Sequence, residues 1–144
     1  MTVKFTVLGE PRGKQRPRVT RKGNTYTPAE TVQYENLVRI EYRRQCGDYR
    51  FPDDAALDMR IMAYYAIPKS ASKKKRQEML EHRIRPLKKS DWDNVGKIIA
   101  DSLNEIAYKD DVQIVDGQVR KFYSDHPRVV VMIQEVEPCE KVPE

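Results

Sequence analysis

The sequence predicts one α+β domain of two layers, with helices packed on a small mixed sheet. Stretches with an apolar residue at every second position alternate with stretches whose apolar residues recur every three or four positions, as in strands and helices. The 144 residues, of which 39% are hydrophobic, are enough for one buried core. Because no repeat or linker divides the chain, we expect one domain over residues 1–136 and a tail over residues 137–144.

The elements are expected in the order β-α-β-α-α-β-β, beginning with a strand in which apolar and polar residues alternate over residues 3–7. The first helix is predicted to begin after Thr27, whose hydroxyl is placed to cap it, with Pro28 in the first helical position. Glu30 completes a capping box with Thr27, and Gly47 marks the end of the helix. Its apolar face consists of Tyr34, Leu37, Val38 and Tyr42.

Three elements are predicted in the centre of the chain. Alternating apolar residues over 57–67 indicate a half-buried strand, and the basic residues 72–83 indicate a helix with little apolar surface. A helix over residues 92–107 is more strongly indicated, because its apolar residues recur at helical spacing. That apolar face consists of Val95, Ile98, Ile99, Leu103 and Ile106.

Two strands over residues 112–123 and 129–136 are predicted to close the domain. The Ser-Asp-His-Pro sequence at 124–127 is typical of a turn, so we expect the two strands to pair as an antiparallel hairpin. Gly117 is expected to mark a β-bulge in the first of these strands.

The charge of the chain is unevenly distributed. The formal net charge is +5, but residues 11–23 carry six basic residues and no acid, and residues 69–89 carry nine basic residues and two acids. The remainder therefore has a net charge of −8, and an acidic body with two basic segments indicates a polyanionic partner such as nucleic acid. The alternative is that both segments are ordinary solvated surface. The expected phosphate contacts are Lys14, Arg16, Arg18, Lys73, Lys74, Lys75 and Arg76.

The spacing of cysteine and histidine argues against several classes of protein. Cys46 and Cys139 lie far apart, and His82 and His126 are isolated, so a zinc finger, a redox CxxC site and a disulfide framework are poorly supported. No apolar run reaches the roughly 20 residues of a membrane helix, and the first residues lack the apolar core of a signal peptide. We therefore expect a soluble, cytoplasmic protein without a membrane partner.

The third predicted helix, over residues 92–107, carries acidic residues on its polar side. Asp93, Lys97 and Asp101 are spaced four residues apart and share one helix face, while Asp91 precedes the helix and an acidic pair at 110–111 follows it. Carboxylate oxygens suit Mg²⁺, which takes few ligands from the protein and completes its shell with water and phosphate. A lysine beside such a site can offset negative charge that develops on a phosphate. The pattern therefore predicts metal-dependent chemistry on a phosphate group.

Each of these residues also has a purely structural interpretation. Ser90 and Asp93 can form a capping box, and acids in the first turn of a helix interact favourably with its dipole. Asp93 and Lys97 can form an ion pair at i,i+4 spacing, which Asp101 can continue. The residues alone leave both interpretations open.

The sequence resembles the RusA family of Holliday-junction resolvases in two places, and the likeness spans residues 3–131. The central match consists of Asp91-Trp92-Asp93-Asn94, Lys97, Asp101-Ser102-Leu103-Asn104 and Asp110-Asp111-Val112-Gln113-Ile114. The N-terminal match consists of Gly9-Glu10-Pro11, Lys14, Arg16-Pro17-Arg18, Tyr26-Thr27-Pro28 and Tyr34.

The resemblance implies a single RusA-like nuclease domain, and a homodimeric crossover junction endodeoxyribonuclease that resolves Holliday junctions by paired symmetric nicks in DNA recombination and repair. It implies Asp91, Asp93 and Asp111 as catalytic ligands of Mg²⁺, for which Mn²⁺ substitutes, and Lys97 as the essential lysine. The expected partner is branched DNA in the form of a four-way junction. Two alternatives remain: a nucleic-acid-binding module without catalysis, and a metal-dependent nuclease for other branched DNA or RNA.

Overall fold

The computed structural model describes residues 1–88 and 90–137. The strands in this part of the chain are β1 (Thr2–Leu8), β2 (Arg18–Val19), β3 (Thr25–Tyr26), β4 (Leu57–Ala66), β5 (Ile114–Ser124) and β6 (Arg128–Glu135). The helices are α1 (Ala29–Cys46), α2 (Lys73–Leu80), α3 (Trp92–Ser102) and a short 3-10 helix over Asp111–Gln113. From residue 138 onward, the predicted tail lies outside the described residues.

The α+β class is confirmed, with a mixed sheet in the strand order β1-β6-β4-β5. The structure adds two strands to the predicted order, because β2 and β3 pair with each other inside the first basic segment. Both consist of exposed residues, so no apolar periodicity marked them in the sequence.

The core lies between the sheet and the two helices α1 and α3. Helix α1 packs on β1 and on α3, and α3 packs on β5. Every second residue of β4, from Leu57 to Tyr65, is buried in this core. The rings of Phe5 and Tyr42 meet edge to face with their centroids 5.4 Å apart. Packing on this face of the sheet holds α3 beside β5.

The prediction of a C-terminal hairpin is wrong. Strand β6 pairs antiparallel with both β1 and β4, while β5 pairs parallel with β4 at the edge of the sheet. The physical reason lies in β6, where Val129, Val131 and Ile133 are fully buried and therefore favour a central position. Strand β5 carries exposed polar residues such as Gln118 and Arg120, which an edge strand tolerates.

The start of α1 differs from the prediction. The helix begins at Ala29, and Pro28 is its N-cap in an extended conformation without a side-chain capping bond. The predicted cap by Thr27 and its capping box are therefore wrong. Leu37 is 38% exposed and lies outside the buried face of the helix. The C-terminal end is confirmed, since Gly47 follows Cys46 with a φ of 70° that favours glycine.

Helix α3 is shorter than predicted, and the bulge lies elsewhere. The helix ends at Ser102 instead of residue 107, because the chain turns back at Glu105, which has a φ of 65°. The extra residue of β5 is Val115 and not Gly117, since its neighbours pair with consecutive residues of β4 and Gly117 pairs regularly with Met59. No helix within the described ranges is both long and apolar enough to span a bilayer.

Candidate metal and phosphate site

A cleft of about 470 Å³ lies between α3 and the edge strand β5. Its charged lining comes from Asp93, Lys97 and Asp101 on α3 and from Asp111 in the 3-10 helix. The structure therefore brings two of the three predicted metal ligands and the predicted lysine into one open cavity. Its apolar lining includes Met59, Ile61, Ile114 and Val119.

The shape of this cleft depends on how closely α3 approaches β5. The charged residues recur every four positions along one side of α3, while its apolar side is buried against the core. Gly96 faces β5, and a Cβ atom at this position would lie only 3.2 Å from Cγ2 of Val119. A side chain at this position would therefore require the Val119 side chain to shift by a few tenths of an ångström.

The structure distinguishes the two acids of the 110–111 pair. Asp110 caps the 3-10 helix, because its carboxylate accepts a hydrogen bond of 3.0 Å from the backbone N–H of Val112. This bond holds the pKa of Asp110 below its ordinary value. The backbone N–H of Asp111 donates to Oδ1 of Asn104 at 2.9 Å, and the Asp111 carboxyl lines the cleft. Asp110 therefore has a structural role as a helix cap, and Asp111 is the acid of the pair that lines the cleft.

In the metal-free protein, the environment of Asp111 favours the protonated carboxyl more than water does for an ordinary aspartate. Burial, together with hydrogen bonds and charge repulsion from the side chains of Asp110 and Asp101, raises the pKa of Asp111 to about 6. A carboxyl group with this surplus of neighbouring negative charge is one that a bound cation stabilises in its ionised form.

This shift predicts how the stability of the metal-free protein depends on pH. The folded-state pKa of Asp111 lies above the unfolded value of 3.8, so the protonated carboxyl favours the folded state. This favourable contribution to the free energy of unfolding is fully present below pH 3.8 and is lost as the pH rises through about 6. We expect Asp111→Asn to raise the Tm in EDTA more at pH 8 than at pH 5. Thermal unfolding of wild type, Asp111→Asn and the surface control Asp54→Asn measures this. Equal pH dependence in all three proteins would contradict it.

The structural interpretations of Asp91, Asp93 and Lys97 hold only in part: both acids lie at the N-terminus of α3, where its dipole favours them, but the predicted capping box and ion pair are absent from the described residues. Asp91 is the N-cap residue of α3, but its side chain makes no capping hydrogen bond. Within the described ranges, neither Asp93 nor Lys97 takes part in an ion pair, and all three side chains are exposed. These residues are therefore available to a ligand.

Asp91 does not line the cleft that contains the other two predicted ligands, Asp93 and Asp111. It lines a neighbouring surface pocket with Trp92, Asp93 and Lys121, while Asp101 and Asp111 do not. Asp93 borders both cavities, so it connects the two sites. The side chain of Trp92 is 64% exposed between them.

The donor set of the cleft fits a magnesium ion that keeps most of its water. Among the described residues, no three acidic, histidine or cysteine side chains lie close enough to form a complete metal cage. Mg²⁺ is usually held by one or two carboxylates together with water and substrate phosphate. Asp101 and Asp111 are in contact and share a cleft with Asp93, which provides such an open set of oxygen ligands.

Lys14 occupies a position that sequence reasoning did not predict. Its Nζ lies 3.2 Å from Oε2 of Glu35 and 3.5 Å from Oδ2 of Asp101, and its side chain is 19% exposed. Its backbone N–H donates to the carbonyl of Asn94 at 2.9 Å. Gly13 makes this approach possible, because a Cβ there would meet the Cβ of Ser90 at 3.0 Å. The first basic segment is thereby attached to α1 and α3.

Glu35 is a functional neighbour that sequence reasoning missed. It is 8% exposed and belongs to the buried face of α1 with Thr31, Tyr34, Val38 and Tyr42. An acid at a buried helical position needs a counter-charge, and here Lys14 supplies it. The one available signal was the position of Glu35 within this apolar stripe.

The other predicted phosphate contacts are solvent-exposed. Arg16 and Arg18 lie in the loop before β2 and at its start. The remaining four occupy the first turn of α2, which Ser72 caps by accepting a 3.2 Å hydrogen bond from the Lys75 backbone. Helix α2 packs on β5, the edge strand that also borders the cleft. The four are Lys73, Lys74, Lys75 and Arg76, of which Arg76 pairs with Asp125.

Comparison with known proteins gives two matches. The model of the family described as Endodeoxyribonuclease RusA matches residues 9–134, a range that contains the whole cleft and both basic segments. The chain is 39% identical over 139 residues to a protein of Bacillus subtilis (strain 168) described as Uncharacterized protein YqaN. That alignment covers 93% of this chain and 96% of the relative.

Proposed function

Because the chain belongs to the RusA endodeoxyribonuclease family, we propose that it resolves Holliday junctions as a Mg²⁺-dependent homodimer that makes paired symmetric nicks. One observation carries the proposal beyond family membership. Asp93 and Lys97 are exposed, make no ion pair within the described ranges, and line the same cleft as Asp111. Apart from the helix dipole, which favours an acid at position 93, the fold gives neither side chain a partner among the described residues, so both are free for chemistry on a substrate.

The proposed roles follow from the positions of the side chains. Asp93 and Asp111 would hold the cation in the cleft, and Asp91, which lines the adjoining pocket, would become a ligand only if the bound cation or DNA draws it inward. When bound, Mg²⁺ or Mn²⁺ polarises the scissile phosphate and lowers the pKa of water. Lys97 places an ammonium group at the cleft, where it offsets the negative charge that develops on the phosphate. Lys14 fixes the position of Asp101 beside them.

The homodimer explains why cleavage is paired. A two-fold axis repeats each cleft once, so two sites face symmetry-related strands of a four-way junction. The basic segments counteract the repulsion between the acidic cleft and the DNA backbone.

The test is cleavage of a synthetic four-way junction in Mg²⁺, beside a linear duplex, a fork, a flap and an RNA hairpin. We expect symmetric nicks in the junction and little cutting of the linear duplex. Preferred cutting of forks, flaps or RNA would assign another substrate to the same chemistry. Tight junction binding without cutting in Mg²⁺ or Mn²⁺ would identify a binding module instead.

The lysines of α2 are expected to contact phosphate. Each phosphate contact contributes about 0.9 to the slope of log affinity against log salt on duplex DNA. Replacing Lys73, Lys74 and Lys75 with Gln is therefore expected to reduce that slope by between about 1 and 3, as measured by junction binding in Ca²⁺. The control is a triple Gln variant of Lys4, Arg43 and Arg44, near the β1 edge. An unchanged slope in the α2 variant would rule out phosphate contact by these lysines.

A further inference from the structure

Arginine side chains cover two aromatic rings on the sheet face opposite α1 and α3. The guanidinium groups of Arg85 and Arg120 lie 4.1 Å and 4.9 Å from the ring centroid of Phe122, and that of Arg128 lies 4.0 Å from the centroid of Tyr64. The two rings are stacked with their centroids 5.5 Å apart. These five residues form what we call the arginine–aromatic surface.

The positive charge of this surface is not neutralised by the protein. Within the described ranges, its three guanidinium groups form no ion pair with a carboxylate. Asp125, which directly follows β5, is already paired with Arg76. Two like charges held on the ring of Phe122 repel each other, and an anion between them would relieve this repulsion.

Hydrogen bonds hold two of the guanidinium groups in place. Arg85 donates through Nε to the carbonyl of Lys121, and Arg128 donates through Nη1 to Oγ of Ser124 at 3.1 Å and to the carbonyl of His126 at 2.9 Å. A guanidinium that stacks on a ring keeps the rest of its N–H groups free at its edge, in the geometry that matches a phosphate. Less conformational freedom is then lost when an anion binds.

The arginine–aromatic surface and the cleft lie on opposite faces of the sheet and share its edge strand β5. Gln118 and Val119 line the cleft, Arg120 follows directly, and Phe122 lies four residues beyond Gln118. At about 3.3 Å per residue, Arg120 and Phe122 lie about 7 Å and 13 Å along the strand from Gln118. With about 3.4 Å of helix axis per nucleotide, this offset along the strand corresponds to about two to four nucleotides, to which the passage around the β5 edge adds.

We propose that the arginine–aromatic surface binds the DNA backbone a few nucleotides from the phosphate in the cleft. The inference deepens the proposed function and rests on DNA being the substrate. It adds a contact surface on the sheet to the expected contacts in the first basic segment and α2. The surface recognises a run of backbone phosphates. Because phosphates are the same in linear and branched DNA, this surface does not itself select branched DNA.

The test compares Arg85→Gln/Arg120→Gln with the charge-matched control Arg43→Gln/Arg44→Gln, near the opposite edge of the sheet. Junction binding is measured in Ca²⁺ over a range of salt concentrations, and cleavage is measured in Mg²⁺ with saturating junction. We expect the first variant to lose about 1.8 from the salt slope and to bind roughly tenfold more weakly, while its kcat stays near wild type. The control is expected to keep the wild-type slope.

Two further variants distinguish the loss of a phosphate contact from misfolding. Arg85→Lys/Arg120→Lys keeps both charges and is expected to keep the salt slope, and Arg120→Gln alone is expected to lose about 0.9. A slope equal to wild type in both Gln variants would overturn the proposal, even if the junction is cleaved normally. If the Gln variants have a reduced salt slope but even the wild type cuts no substrate, the surface contacts phosphate as proposed and the proposed catalysis is rejected.

Discussion

Asp93→Asn is expected to lower junction cleavage by about 10³-fold or more, with junction binding in Ca²⁺ unchanged. Asp93 lines both the cleft, with Asp111, and the adjoining pocket, with Asp91. Asparagine keeps the shape of the side chain but removes the charge that a divalent cation needs. The side chain is exposed and makes no ion pair within the described ranges, so its replacement should leave stability nearly unchanged.

The measurement is single-turnover cleavage of a labelled four-way junction by wild type, Asp93→Asn and the surface control Asp54→Asn. Unfolding curves for each protein separate a loss of chemistry from a loss of fold. Wild-type cleavage by Asp93→Asn would remove Asp93 from the proposed machinery. Equal loss of cleavage and binding would indicate a role in holding DNA instead of the cation.

Lys14→Met is expected to destabilise the fold by about 3 kcal/mol, since it leaves a buried carboxylate without its counter-charge. Glu35 is 8% exposed, and Lys14 is its ion-pair partner at 3.2 Å. The same lysine also pairs with Asp101, so its loss adds negative charge beside the cleft. The predicted phosphate contact of Lys14 would require its ammonium to leave both carboxylates.

Urea unfolding of Lys14→Met, Glu35→Gln and the double variant forms a double-mutant cycle for this pair. We expect the double variant to recover more than half of the stability that Lys14→Met loses, because the unpaired charge is then absent. The exposed Lys22→Met provides the control for removing a lysine. A coupling energy below about 0.5 kcal/mol would show that the pair does not stabilise the loop.

Much of the local structure could be predicted from periodicity. The alternation in β1 and β4 and the helical spacing in α1 and α3 each reflect one buried face, which is a property of neighbouring residues. The spacing of Asp93, Lys97 and Asp101 likewise follows from helix geometry alone. The motif around these residues also identified the family, which the match over residues 9–134 confirms.

The errors at chain turns have a different origin. The cap at Thr27 failed because Pro28 adopts an extended conformation, and α3 ends early because Glu105 turns the chain. The end of α3 is accompanied by a contact between residues eight positions apart, the hydrogen bond from the Tyr108 hydroxyl to the carbonyl of Ala100. Local propensity contains no information about such contacts.

By itself, the sequence determined the types of most elements, the two basic segments, the acidic motif and the family. Only the tertiary structure decided that β6 lies inside the sheet, that Asp110 caps the 3-10 helix, and that Lys14 is paired with Glu35. It alone also brought Arg85 beside Arg120 on the ring of Phe122. The reason is that periodicity reports which side of an element is buried, whereas the partner on that side is chosen by competition among segments distant in the chain.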